Sequence, residues 1–162
     1  MEKCSINVLH CGTFMEEKHW MPRSYAETEQ LGRELGESLR GDEVVAMFGG
    51  LGMGKTAFVR GLAAGLDIPP ENVSSPTFAI VHEHYGRVRL FHYDMYRVET
   101  WEDLESTGFF EAVGKGVIAL EWSENIENAL PYPRYELRIS AGSDENSRNI
   151  ALSYITSQEG EA

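Results

Sequence analysis

The sequence predicts an α/β fold: one domain in which a mixed β-sheet is flanked by helices. Three observations lead there. Short apolar runs that read as buried strands alternate with stretches of helical periodicity. A glycine-rich segment, MFGGLGMGKTAF (Met47–Phe58), joins one such run to one such helix. Other strand-like runs are separated only by short polar or glycine turns, so part of the sheet is hairpin and antiparallel. A chain of 162 residues supports one core of this kind and not two.

The elements follow in order. Residues 1–22 show weak alternation around Ile6 to Leu9 and read as either an added edge strand or an N-terminal extension. SYAETEQLGRELGESLR (Ser24–Arg40) is a helix: Ser24 and Glu27 have capping-box spacing, Leu31, Leu35 and Leu39 recur on one face, and Gly41 suits the stop. EVVAMF is a buried strand. After the glycine loop, a helix from about Lys55 carries Phe58, Leu62 and Leu66 as an apolar stripe beside Val59 and Ala63, with Pro69-Pro70 ending it. TFAIVHEHY and VRLFHYDMYRV straddle Gly86 as a hairpin. Thr100 caps a helix, with Asp103 at its third position. KGVIALEW is a second buried strand, SENIENAL a short helix stopped by Pro131, and YELRIS and RNIALSYI are late strands joined by a polar turn. The tail 157–162 is small and acidic and reads as frayed.

Composition excludes several functions. Lys and Arg number 14 against 26 Asp and Glu, a net charge of -12. Nucleic-acid backbones are bound by cations that displace counterions, so this chain is not a free-standing DNA or RNA binder. Cys4 and Cys11 have neither zinc-site spacing nor a disulfide framework, which suits a reducing compartment. No apolar run is long enough to span a membrane, and the first twenty residues lack the apolar core of a signal peptide, so the reading is cytoplasmic.

Gly49, four residues, then Gly54-Lys55-Thr56 fits the phosphate-loop pattern, in the required strand–loop–helix setting. Glycines let the backbone turn its N–H groups inward, and the helix N-terminus adds positive potential. The fold expected is therefore P-loop NTPase-like. Lys55 should reach the β- and γ-phosphates and the Thr56 hydroxyl should take a place on Mg²⁺. Such a site needs an acid at the end of a neighbouring buried strand. Glu121, ending VIALE, and Asp94, ending RLFHYD, both qualify. Pro76 presets a turn in SSPTF and presents Thr77 on a loop, where a threonine can sense a γ-phosphate; an ordinary turn is the simpler account. His92, Asp94 and Tyr96 alternate along one face, and His82 and His84 along another; polar residues on a solvated face explain both, and a zinc site is rejected. Trp122 should point away from Glu121, into the core.

GGLGMGKTAFVRGLAAGL, VSSPTFAIVHEHY, LFHYDMYRV, EDLESTGFFE and VIALEWSENI stand in the order and spacing of the TsaE family, which the chain resembles from about Ser24 to Ile126. The resemblance implies ATP and Mg²⁺ as cofactors and slow, partner-dependent hydrolysis in tRNA threonylcarbamoyladenosine biosynthesis. It implies association with a TsaB–TsaD type complex that is reset between turnovers, with tRNA met only through those partners. By matching position it assigns catalysis to Lys55, Thr56, Asp94 and Glu121, and metal binding to Thr56, Asp94 and Glu121. It assigns nucleotide contacts to Gly49, Leu51, Gly52, Met53, Gly54, Lys55, Thr56, Ala57 and Thr77. Tyr25 and Thr28 lie near the nucleoside in that assignment, and Trp122 belongs to the same site with a role in complex function. The chain departs from the family pattern at Gly50, where many members have an acid, at Ala57, where many have Thr or Ser, and in its long N-terminal stretch.

Other P-loop readings remain. A small-molecule kinase shares the loop, but arginine is sparse after its helix. A GTPase lacks its N-K-x-D motif here, and an ABC-type ATPase its size and signature segments. A nucleotide-dependent binding module with little turnover is the third alternative, favoured by Gly50.

Overall fold

A computed structural model describes residues 17–157. Among them are seven strands, β1 (Lys18–Trp20), β2 (Val44–Phe48), β3 (Val81–Tyr85), β4 (Arg89–Asp94), β5 (Val117–Glu121), β6 (Arg134–Ala141) and β7 (Arg148–Ile155). They form one sheet in the order β1-β7-β6-β2-β5-β4-β3. The central four, β6, β2, β5 and β4, are parallel. The β3–β4 and β6–β7 hairpins and the β1 edge are antiparallel. The mixed α/β sheet read from the sequence is the one found. Lys18–Trp20 is the edge strand within residues 1–22; Ile6 to Leu9, Cys4 and Cys11 lie outside the described residues.

Every residue of β2 and of β5 is buried, because helices cover both faces of the parallel centre. Alternation divides β2 between two cores. Val45 and Met47 pack with Leu35, Phe58, Leu62 and Leu66, under α1 (Tyr25–Ser38) and α2 (Lys55–Gly65). Val44, Ala46 and Phe48 pack with Tyr93, Leu104, Phe109 and Leu120, under α3 (Trp101–Ser106) and α4 (Phe109–Ala112).

The leucine stripe of α1 hides a second feature. Gly32 and Gly36 lie against the carbonyls of Phe58 and Leu62, while Gly61 and Gly65 lie against those of Glu29 and Arg33. A Cβ at any of the four would collide with backbone. The two helices therefore touch main chain to main chain, which only glycine permits.

Helix ends follow the sequence with local differences. The Ser24 hydroxyl accepts the Glu27 N–H at 3.1 Å, but the Glu27 carboxylate accepts from Arg23 N–H at 2.7 Å rather than from Ser24, so the expected box closes one residue early. At Thr100 both arms of the box form. The α2 helix ends at Gly65, and Asp67 turns the chain in the left-handed region (φ 61°), before Pro69 is reached.

Two expectations are corrected, and one element was not expected. Thr77 to Ile80 form a turn, not the start of a strand: the Ile80 N–H donates to the Pro76 carbonyl at 2.7 Å and Ile80 has φ 68°. Proline offers no ladder donor and presets the turn, so β3 begins only at Val81. Ser123–Ala129 is a 3₁₀ helix, kinked at Ile126, instead of a short α-helix. The single turn of α4, between the left-handed Gly108 and Gly114, is too short to show a helical period.

Candidate functional site

β2 delivers the glycine loop to the C-terminal edge of the parallel strands, and α2 starts from its far end. Gly52 (φ 75°) and Gly54 (φ 102°) hold left-handed conformations that other side chains adopt only with strain. Lys55 folds over the loop: its ammonium donates to the carbonyls of Gly49 and Gly50, the latter at 3.0 Å, and lies 4.0 Å from the centre of the Trp122 ring. The ammonium is thus held by two loop carbonyls and the Trp122 ring. Burial pulls the Lys55 pKa below its ordinary value, while the carboxylates of Glu121, Glu124 and Asp94 oppose the shift.

Asp94 and Glu121 sit side by side in register at the ends of β4 and β5, each only 4% exposed. Glu121 Oε1 accepts the Thr56 hydroxyl at 2.9 Å and lies 2.8 Å from His92 Nε2. His92 is fully buried. It is not on the solvated face expected of it: it shares its face of β4 with Leu90 and Asp94, both buried, and Leu90 belongs to the core under α1 and α2. Asp94 accepts the Ser75 hydroxyl at 3.1 Å and the Tyr96 N–H at 2.9 Å. Ser75 in turn lies 3.3 Å from the Thr77 hydroxyl. A polar chain therefore runs from Thr77 through Ser75 to Asp94, beside the Thr56–Glu121–His92 chain.

These groups face one pocket of about 590 Å³. Of the residues expected there, Tyr25, Leu51 to Ala57, Thr77, Asp94, Glu121 and Trp122 line it. Gly49 and Thr28 do not. The Gly49 N–H points to Glu124 Oε2 at 3.3 Å. Thr28 is 2% exposed, its hydroxyl on the Ser24 carbonyl and its methyl toward Gly54, so it backs the loop from behind. Trp122 packs against the core as expected and also lines the pocket as the resemblance implied, but it does not point away from Glu121. Alternation ends with the strand at Glu121, Trp122 takes φ 60°, and its ring swings to the pocket beside Tyr96, centroids 5.0 Å apart.

Sequence reasoning missed Arg60 and Ser75 on the pocket wall, and treated Tyr96 only as one of an alternating row. Ser75 was signalled by its place in SSPTF. Arg60 was signalled only by the length of its side chain, one and a half turns along α2.

The donors suit a hard divalent cation. Thr56 supplies a hydroxyl and Asp94 and Glu121 supply carboxylates, oxygen ligands of the kind Mg²⁺ takes while keeping several waters. Two adjacent buried carboxylates also call for positive charge. Among the described residues no three His, Cys, Asp or Glu side chains cluster as a metal cage, so a cation here relies on Thr56 and water as well.

Comparison with known proteins places the chain in a family. A family model described as threonylcarbamoyl adenosine biosynthesis protein TsaE matches residues 22–150. The tRNA threonylcarbamoyladenosine biosynthesis protein TsaE of Treponema pallidum is 41% identical over 119 residues, 73% of this chain and 86% of its own. The Aquifex aeolicus protein of the same name is 39% identical over 80% of this chain and 90% of its own. The crystal structure of Bacillus subtilis YdiB superposes with a TM-score of 0.70 at 27% identity, covering 89% of each chain. The family model spans most of the chain, and relatives and fold agree with it: this chain belongs to the TsaE family.

Proposed function

We propose that this protein binds ATP with Mg²⁺ and hydrolyses it slowly to support threonylcarbamoyladenosine formation in tRNA, acting on a TsaB–TsaD type complex. The observation that carries the reading is the convergence of a glycine loop, Lys55 and Thr56 with two buried acids at the ends of adjacent strands. Family membership supports the pathway.

The loop N–H groups and the start of α2 attract the phosphates. Lys55, already held on Gly49 and Gly50, lines the pocket without having to be ordered first. Thr56 and Glu121 are prepositioned on each other, and His92 fixes the carboxylate from behind. Mg²⁺, when bound, neutralises charge that develops on the phosphate oxygens. Thr77 reaches the acids through Ser75, so a phosphate that draws Thr77 inward also disturbs Asp94. That link suits a switch. Gly50 brings no side chain to the phosphates and faces open space, in keeping with slow turnover.

The partner complex carries the tRNA, since a net charge of -12 disfavours direct binding. No helix among the described residues is long and apolar enough to cross a membrane, and tRNA modification places the activity in the cytoplasm. A kinase reading predicts a phosphorylated small molecule, while a binding module predicts docking without hydrolysis. Phosphate release measured with and without the TsaB–TsaD type complex separates the three. We expect release that the complex stimulates, at least about a hundredfold loss in Glu121→Ala, and ATP binding that partly survives. Undiminished release by Glu121→Ala, or phosphate appearing on an acceptor, overturns the reading.

A further inference from the structure

We propose that Arg148 is a positioning residue for phosphate binding, which sets the direction of the Met53 and Gly54 N–H groups in the loop. The inference rests on the nucleotide reading above and adds to that site a residue that no motif marks.

Arg148 opens β7, far along the chain from the loop. Its Nε donates to the Met53 carbonyl at 3.2 Å and one terminal nitrogen donates to the Gly52 carbonyl at 3.3 Å. The other terminal nitrogen donates to the carbonyls of Glu145 and Ser147, both at 2.8 Å. Its backbone N–H donates to the Pro22 carbonyl at 2.9 Å. The side chain is thus fixed at its own end of the hairpin and reaches across to grip two successive carbonyls of the loop.

A planar trans peptide points its C=O and the next N–H in opposite directions. Holding the Gly52 and Met53 carbonyls toward Arg148 turns the N–H groups of Met53 and Gly54 the other way. Met53 and Gly54 line the pocket and Arg148 does not, so the grip is applied from the far side. An external grip is needed because Gly52 and Gly54 flank these peptides in left-handed conformations, and glycine leaves peptide planes free to flip. The planar guanidinium fork matches two neighbouring carbonyls, which an ammonium cannot. Arg148 also makes no ion pair among the described residues. Its charge is not cancelled locally and adds to the attraction of the loop for anions.

The turn before it is organised for this placement. The Asp144 carboxylate accepts N–H groups from Asn146 at 3.0 Å and Ser147 at 2.9 Å, which shapes the chain entering Arg148. β7, which lies outside the parallel core, thereby becomes part of the phosphate site.

The test is ADP and ATP affinity by calorimetry for the full chain, Arg148→Met and Arg148→Lys, with amide NMR shifts followed during ADP titration. Thermal unfolding is recorded alongside. We expect the unaltered chain to bind ADP, Arg148→Met to bind about tenfold more weakly as charged hydrogen bonds are lost, and Arg148→Lys to recover little. The Met53 and Gly54 amides should stop responding to ADP in both variants while the Thr56 and Ala57 amides still respond, a split that general destabilisation does not produce. Unaltered affinity in Arg148→Lys, or in a folded Arg148→Met, overturns the proposal, as do Met53 and Gly54 amides that respond normally. If Arg148→Met fails to fold, Arg148→Lys decides alone. If the folded, unaltered chain binds neither nucleotide, the nucleotide reading falls and this one falls with it.

Discussion

Glu121 shows how far single residues could be read. A carboxylate ending an apolar strand needs compensation, and that argument singles out Glu121 and Asp94 from sequence alone. What it could not locate were the compensators: His92 behind Glu121, and Ser75 on Asp94. Both depend on strand register and on a loop closing over a sheet edge. Alternation gave the wrong direction for Trp122, which motif position had put in the site, because alternation holds only while the strand lasts. Glu43 offers a residue-scale test away from the site. Its carboxylate accepts the N–H groups of Arg40 at 2.6 Å, Gly41 at 2.8 Å and Asp42 at 3.0 Å. Burial raises its pKa, but the N–H groups of Arg40, Gly41, Glu43 and Asp42 outweigh burial and leave it below the ordinary 4.5. A lowered folded-state pKa gives stability that is present above the unfolded value and lost as pH falls through the folded one. Glu43→Gln should therefore melt roughly 2–4 °C lower at pH 7, for about 1 kcal/mol lost. Melts repeated below pH 4.5 should show the gap closing; a gap that is constant with pH removes the charge argument.

At the scale of elements, period and punctuation did most of the work. The buried strands, the two long helices and the Thr100 cap were legible because each carries its own signal. The turn at Thr77–Ile80 overrode a β-branched run because Pro76 cannot join a ladder. The glycines of α1 and α2 were not legible as a contact, since each helix alone gives no reason for them. They make a contrast that urea unfolding can measure. Gly61→Ala drives a methyl into the Glu29 carbonyl and should cost about 1–3 kcal/mol despite alanine's better helix propensity. Gly50→Ala meets nothing within 4 Å and has no left-handed backbone, so it should stay within about 0.5 kcal/mol of the parent. Equal effects at the two positions would show that the helices do not touch as described.

For the whole molecule, the α/β class was legible and the strand order was not. Nothing local tells β6 to pair with β2, some ninety residues earlier, or β7 to bring Arg148 to the loop. The cradle, its lysine and its acids are local features in sequence, whereas the connections that aim them are long-range. The assembled molecule is acidic, with its phosphate loop, switch-like threonine and acid pair gathered at one edge of the sheet. The proposed function, nucleotide used on a partner's conformation with tRNA left to the partner, rests on that arrangement. The most direct test is reconstitution: threonylcarbamoyladenosine formed per TsaB–TsaD type complex, followed over many turnovers with no addition, with this protein, and with its Lys55→Ala variant. The account predicts that product stops near one equivalent per complex without the protein or with Lys55→Ala, and accumulates well past it with the unaltered chain. Sustained turnover in all three reactions contradicts it.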